Sequence, residues 1–303
     1  MLKHLPVLLA ETLAVLAPKP GDRVLDVTLG LGGHSEELLR AIGPTGSLIA
    51  LDADAENLSL AQGRLKEYES QLTMLHANFG ELPDCLPPAH RAFDVILADL
   101  GLSSPHIDDP SRGFMFREDA PLDMRFDRSQ GMTAAMLLAS LDTEKLLHLF
   151  WNYGELPQVR RLVDEIIARR RGRPVRTSQD LVDIARLVYS YKAPRFLPQI
   201  FQALRMAVNR EVEVLEHLLQ VLPELLAPGG RAAIISYHSL EDALVKHACR
   251  SLSTDEKDVR TGMISTPALF ELRTKKPVTA GEREIKNNPR SRSARLRAIA
   301  RRP

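Results

Sequence analysis

VLDVTLGLGGHS, residues 24–35, runs from an apolar stretch carrying an acid into three glycines within four positions. The amphipathic SEELLRAI (35–42) follows at once. A short Val/Leu run followed by a helical pattern reads as a strand turning into a helix, with Gly30, Gly32 and Gly33 on the turn. Glycine there reaches backbone angles closed to other residues and lets a ligand approach the main chain.

The same alternation extends outward. RVLDVT (23–28), SLIALD (47–52), LTMLHA (72–77) and FDVILADL (93–100) read as strands, with helical patterns over 34–42 and 54–68. Strands separated by helices at this spacing predict right-handed crossovers and a parallel sheet covered on both faces. Its ligand belongs at the carboxyl ends of the strands. After Ser104 the pattern changes. Residues 105–132 read as a loop, and helical periodicity then covers 133–152, 156–171, 178–191 and a long stretch at 199–226. A buried strand returns at RAAIISY (231–237), introduced by the turn APGG, and a helix at 239–252 follows. LFELRT (269–274) and ARLRAIA (294–300) are β-like. The expected organisation is an α/β sheet at 1–104, a helical insertion at 105–200 and the remainder of the sheet at 201–303.

The chain has 303 residues, enough to bury a full core. No apolar run approaches the roughly 20 residues that span a bilayer, so no membrane partner is expected. The first 23 residues contain Glu11 and no small-residue cleavage pattern, and read as an amphipathic helix rather than a signal peptide. Cys85 and Cys249 form neither a disulfide framework nor a metal spacing, which suits a reducing cytoplasm. The net charge of +1 hides an asymmetry. Residues 275–303 carry ten basic side chains against Glu282 and Glu284, a net +8, leaving −7 on the other 274. A concentrated basic segment on a mildly acidic protein points to a polyanion, with a solvated tail as the alternative.

Three ligand classes use such a glycine turn: triphosphates, dinucleotides and S-adenosylmethionine. A phosphate-binding loop needs a lysine and a Ser/Thr after the glycines, where this chain has His34. A dinucleotide fingerprint needs a third glycine at the position of Ser35. Asp52, at the end of the second strand, suits ribose hydroxyls; its alternative is helix capping, for which Asp54 is better placed. Phe79 is placed either to stack on an adenine or to fill the core. Asp99, at the end of the fourth strand, has no evident use in hydride transfer. In methyl transfer it has two, because it could hold the ammonium of the donor or a nucleophilic amine. A dinucleotide-dependent oxidoreductase and a non-catalytic RNA-binding module are the rival readings, and the second leaves the glycine turn, Asp52 and Asp99 without purpose.

Eight ordered blocks carry a resemblance: HLPVLLAETL (4–13), DVTLGLGGHS (26–35), DLGLSSPHIDD (99–109), RGFMF (112–116), PLDMRFD (121–127), FQALRMAVNRE (201–211), GGRAAIISYHSLEDALVK (229–246) and NPRSRSARLR (288–297). Together they resemble the MraW-type (RsmH) S-adenosylmethionine-dependent methyltransferases. The resemblance implies a class I, Rossmann-like methyltransferase fold: a seven-stranded, mostly parallel sheet with an antiparallel last strand and an inserted helical domain that helps recognise RNA. It implies methylation of the exocyclic N4 amine of a cytidine in the decoding region (P site) of bacterial small-subunit (16S) ribosomal RNA. It places cofactor contacts on Gly32, Gly33, His34, Asp52, Phe79 and Asp99, and on His106, where the family usually has glutamine. Tyr237 replaces the family's phenylalanine, and Ala243 its arginine. FLPQIFQALR (196–205) lacks the usual Thr and Arg.

A cytidine amine is a weak nucleophile, so its methylation needs orientation and an acceptor for the amine hydrogens. Asp99, Ser103 and Ser104 are the expected catalytic groups. His238 is expected either as a substrate contact or proton acceptor, or as a structural histidine beside a cap at Ser239. His238, Glu241 and Asp242 match no strong metal signature, and no metal is expected. Arg112 and Arg125, in segments mixing arginine with aromatics, are expected at RNA, as are Arg290, Arg292 and Arg295 in the basic tail. The basic run 168–176 is either a phosphate contact or a solvated helix end. The expected partner is the small ribosomal subunit or its RNA; a monomer and a homodimer are both open.

Overall fold

The computed structural model describes residues 6–87, 92–258 and 260–303. Its strands are β1 (Arg23–Asp26), β2 (Ser47–Asp52), β3 (Leu72–His76), β4 (Phe93–Asp99), β5 (Leu226–Ser236), β6 (Glu256–Lys257), β7 (Ile264–Thr266), β8 (Phe270–Leu272) and β9 (Arg295–Arg301). Its helices are α1 (Leu9–Leu16), α2 (Gly33–Ile42), α3 (Ala55–Arg64), α4 (Ser104–Asp108), α5 (Ala134–Ser140) and α6 (Thr143–Asn152). They continue with α7 (Val159–Arg170), α8 (Ser178–Tyr189), α9 (Ala193–Val208), α10 (Glu211–Leu225), α11 (Ser239–Leu252) and α12 (Glu282–Asn287). The chain divides into two compact units, Met1–Gly101 with Glu213–Pro303, and Leu102–Val212. The first residues of the HLPVLLAETL block, His4 and Leu5, lie outside the described residues.

The first unit is a seven-stranded sheet of order β3-β2-β1-β4-β5-β9-β8. Strands β1 to β5 pair in parallel, and β9 runs antiparallel between β5 and β8. Successive residues of a strand face opposite ways, so a continuous apolar run feeds two cores. Leu25, Ile49, Leu51 and Ile96 pack with Leu215, Leu218 and Leu222 of α10 and Val245 of α11. Their neighbours Val24, Leu48, Ala50, Val95 and Leu97 pack with Leu38, Leu39 and Ile42 of α2 and Leu16 of α1. The order reverses at β1 and β4, which places the carboxyl ends of these strands at the switch point where such sheets bind ligands.

The second unit has its own core, including Phe150, Leu162, Ile166, Leu181, Ile184 and Leu204. Two helices expected to be continuous are broken. The pattern over 133–152 becomes α5 and α6, because Leu141 is extended and the Asp142 carboxylate accepts from Lys145 N at 2.8 Å to start a new helix. The pattern over 199–226 becomes α9 and α10. Arg210 takes a left-handed φ of 51°, and the Asn209 amide donates to Met124 O at 2.8 Å. Strand β5 begins at Leu226 and so includes the residues expected as its entry turn. The β6–β7 ribbon was not foreseen from the sequence.

Candidate active site

The turn after β1 is built on its own hydrogen bonds. Asp26, 1% exposed, accepts from Thr28 N at 3.1 Å and Ser35 Oγ at 2.7 Å. Burial pushes its carboxyl above the usual range, against the pull of the Ser35 and Thr28 hydrogen bonds. Gly32 has φ +75°, and a Cβ there would stand 2.9 Å from Leu65 Cδ1. A Cβ on Gly33 would stand 2.6 Å from Pro6 Cγ. A side chain at either position would therefore collide inside the unit. Gly30 differs: its φ is +53°, yet an added Cβ would meet nothing within 4 Å, so this is the open side of the turn.

Asp52 reaches the turn from the end of β2. Its Oδ2 accepts from Gly30 N at 2.7 Å and its Oδ1 from Asp54 N at 2.8 Å. The Asp54 carboxylate caps α3 by accepting from Glu56 N at 2.9 Å, as the sequence suggested. Phe79 opens a short 3₁₀ turn after β3, half-buried against the α10 face of the sheet.

Asp99 closes β4. Its backbone N–H donates to Thr28 Oγ1 at 2.6 Å, and its Oδ1 accepts from Gly101 N at 3.1 Å. Its Oδ2 stands 3.6 Å from His34 Nε2. His34 is 7% exposed, and neither ring nitrogen has a hydrogen-bond partner among the described residues. Leaving a buried polar atom unpaired costs about 1–3 kcal/mol, so such atoms signal a ligand or solvent site. Tyr237, just past β5, places its ring and hydroxyl over Gly101, where an added Cβ would stand 2.9 Å from two ring carbons and 3.0 Å from the hydroxyl. Its phenol is pushed well up, first by burial and then by the Asp99 charge. Sequence reasoning missed Thr28 as a partner of Asp99.

His238 caps α11, its Nδ1 accepting from Glu241 N at 3.4 Å. Its Nε2 lies 2.8 Å from Glu241 Oε1. The cap is thus His238 and not Ser239. Asp242 pairs with Arg297 at 2.7 and 3.1 Å and with Arg295 at 3.0 Å. Arg290 and Arg292 lie in a 3₁₀ turn over Pro289–Ser293, and Arg292 is exposed. The basic tail is therefore a turn leading into β9.

In the second unit, Ser103 and Ser104 start α4, and Ser103 N donates to His106 Nδ1 at 3.3 Å. The His106 ring is stacked 5.0 Å from Phe126 and tilted 5.1 Å from Phe114. Arg112, expected at RNA, is 1% exposed and donates to the carbonyls of Arg125 and Phe126 at 3.0 and 3.1 Å. That corrects the expectation: this guanidinium is buried holding the loop, out of reach of a phosphate. Arg125 is held by Asp123 in a two-point pair of 2.7 and 2.9 Å and donates to Gln130 O at 3.1 Å. In the basic run, Arg169 and Arg173 pair with Asp180 while Arg171 and Arg176 are exposed.

A family model described as the MraW methylase family matches residues 1–302. Ribosomal RNA small subunit methyltransferase H of Halothermothrix orenii is 40% identical over 309 residues, covering 99% of each chain. The protein of the same name from Gloeobacter violaceus is 44% identical over 301 residues, covering 99% of this chain and 88% of its own. Among solved structures, TrmN from Thermus thermophilus aligns with a TM-score of 0.45 at 18% identity, covering 97% of this chain and 48% of that one.

Proposed function

This chain belongs to the MraW methylase family, and from that premise we propose that it methylates the exocyclic N4 amine of a cytidine in the P-site decoding region of bacterial 16S ribosomal RNA. The methyl donor is S-adenosylmethionine, which supplies an electrophilic methyl group when bound. The relatives' shared name supports the ribosomal RNA substrate, and the resemblance in the eight sequence blocks supports the cytidine amine. Small subunits in the cytoplasm are the proposed partner.

The observation that carries the donor site is the buried His34 imidazole without protein hydrogen bonds, 3.6 Å from the Asp99 carboxylate beside an open glycine turn. Gly32, Gly33, His34, Asp52 and Phe79 are the residues that would hold the donor, with Asp52 at the ribose and Phe79 at the adenine. Asp99 offers acceptor oxygens to an amine as positive charge develops on it. Transfer would form the N4–methyl bond as the donor's sulfur–methyl bond breaks, releasing a neutral thioether, and the amine would give up one proton to water. Ser103, Ser104 and His106 are proposed to assist on the strength of the resemblance, and Arg125, Arg290, Arg292 and Arg295 to meet RNA. His238 is proposed to position Glu241 and the start of α11.

The test is incubation of the protein with labelled S-adenosylmethionine and purified small subunits, followed by nucleoside analysis. Label should appear in N4-methylated cytidine, and Asp99→Ala should lower turnover by at least about a hundredfold, the scale of losing a preorganised electrostatic contact. Label in another nucleoside, or near-normal turnover of the variant, rejects the reading.

A further inference from the structure

The acid at the tip of β4 is held through its main chain by a side chain from the neighbouring strand's exit. Strands β1 and β4 pair in parallel as far as Asp26 and Leu97. The ladder runs one bond further, with Val27 N donating to Leu97 O at 3.0 Å. The next β4 donor on that side, Asp99 N, meets the Thr28 hydroxyl oxygen at 2.6 Å and not a main-chain carbonyl. A side chain thus adds a rung to the ladder past the last residue of β1. Thr28 has little room to shift. Val27 before it is bonded to β4, and Leu29 after it donates to Leu51 O of β2 at 2.8 Å. Its own N–H donates to the buried Asp26 carboxylate at 3.1 Å, and Ser35 Oγ holds that carboxylate at 2.7 Å. On the far side of β4, Leu100 N donates to Ile235 O of β5 at 2.9 Å.

A carboxylate is aimed no better than the backbone that carries it, and a reacting group must be held to within about 0.5 Å. We propose that Thr28 is a positioning residue for Asp99. Its hydroxyl fixes the Asp99 main chain, so that Oδ1 stays 3.1 Å from Gly101 N and Oδ2 is presented on the side of His34 Nε2, 3.6 Å away. Threonine suits the task because its hydroxyl accepts a hydrogen bond and its branched side chain is stiff about χ1. Valine has the same shape without the acceptor, and would leave the Asp99 N–H unpaired at the end of the strand. The inference rests on the reading of Asp99 as the carboxylate that receives the amine.

The test compares wild type, Thr28→Val and Thr28→Ser as full chains, acting on purified small subunits with saturating labelled S-adenosylmethionine. Calorimetric titration with S-adenosylmethionine counts the molecules competent to bind it, and rates are expressed per competent molecule. Thr28→Val should lower kcat at least about tenfold, since a misplacement of about 1 Å can cost a hundredfold. KM for the subunits should stay near the wild-type value, because the lost contact serves the transfer step and not binding. Thr28→Ser keeps the acceptor oxygen and should recover most of the wild-type kcat. A wild-type kcat in Thr28→Val overturns the proposal. So does a Thr28→Ser variant as slow as Thr28→Val, which marks a packing role, or a loss confined to the competent fraction, which marks a folding role. Absence of methyl transfer to subunits by the wild type overturns the function reading and this inference together. An active wild type matched by Thr28→Val overturns this inference alone.

Discussion

At the scale of single residues, the glycine turn separates two uses of one amino acid. Gly32 is left-handed and pressed against Leu65, whereas Gly30 is left-handed and faces open space. An L-residue in the left-handed region costs about 1–2 kcal/mol. Gly32→Ala should therefore destabilise the protein by at least that much in urea unfolding, since the 2.9 Å approach to Leu65 adds to the strain. Gly30→Ala should cost only the backbone term, yet weaken S-adenosylmethionine binding in calorimetry. The turn itself was legible, because glycine at a strand-to-helix junction has few other uses. What Arg112 and Arg125 do was not legible. An arginine among aromatics reads alike whether it meets RNA or carbonyls of its own loop, and only the fold brings Arg112 under the carbonyls of Arg125 and Phe126.

At the scale of elements, α11 is fastened to β9 by one acid and two arginines. Burial pushes the Asp242 carboxyl up, but hydrogen bonds and charge from Arg297 and Arg295 outweigh it and hold the carboxyl below its ordinary value. A carboxylate depressed in the folded state contributes stability that is fully present above its unfolded pKa, 3.8, and is lost as pH falls through the folded one. Asp242→Asn should cost about 3 kcal/mol near neutral pH, because Arg297 is left buried with its charge unmatched. The gap to wild type should narrow below about pH 4, and denaturant unfolding at several pH values measures it. The strands were read correctly from apolar runs at crossover spacing. The helix breaks were not, since local periodicity carries through Asn209. The break depends on Asn209 hydrogen bonds to Met124 and Phe126, more than eighty positions away.

At the scale of the whole molecule, two separate cores follow from one interruption after β4. Phe150 is fully buried in the helical unit, so Phe150→Ala should cost about 3–5 kcal/mol. Hydrogen exchange should register the loss within Leu102–Val212 first, and uniform loss of protection over both units would count against separate cores. The alternation that opens the chain made the sheet unit legible. The helical unit was legible only as helices, because its packing partners leave no periodic mark in the sequence.

The adjacency of β4 and β5 has a kinetic side. They are neighbours in the sheet, yet Asp99 and Leu226 are 127 positions apart. Joining chain ends across so long a span is entropically slow, and the penalty rises with the logarithm of the intervening length. Collapse of the inserted helices ahead of the sheet would shorten the free span and lower that penalty.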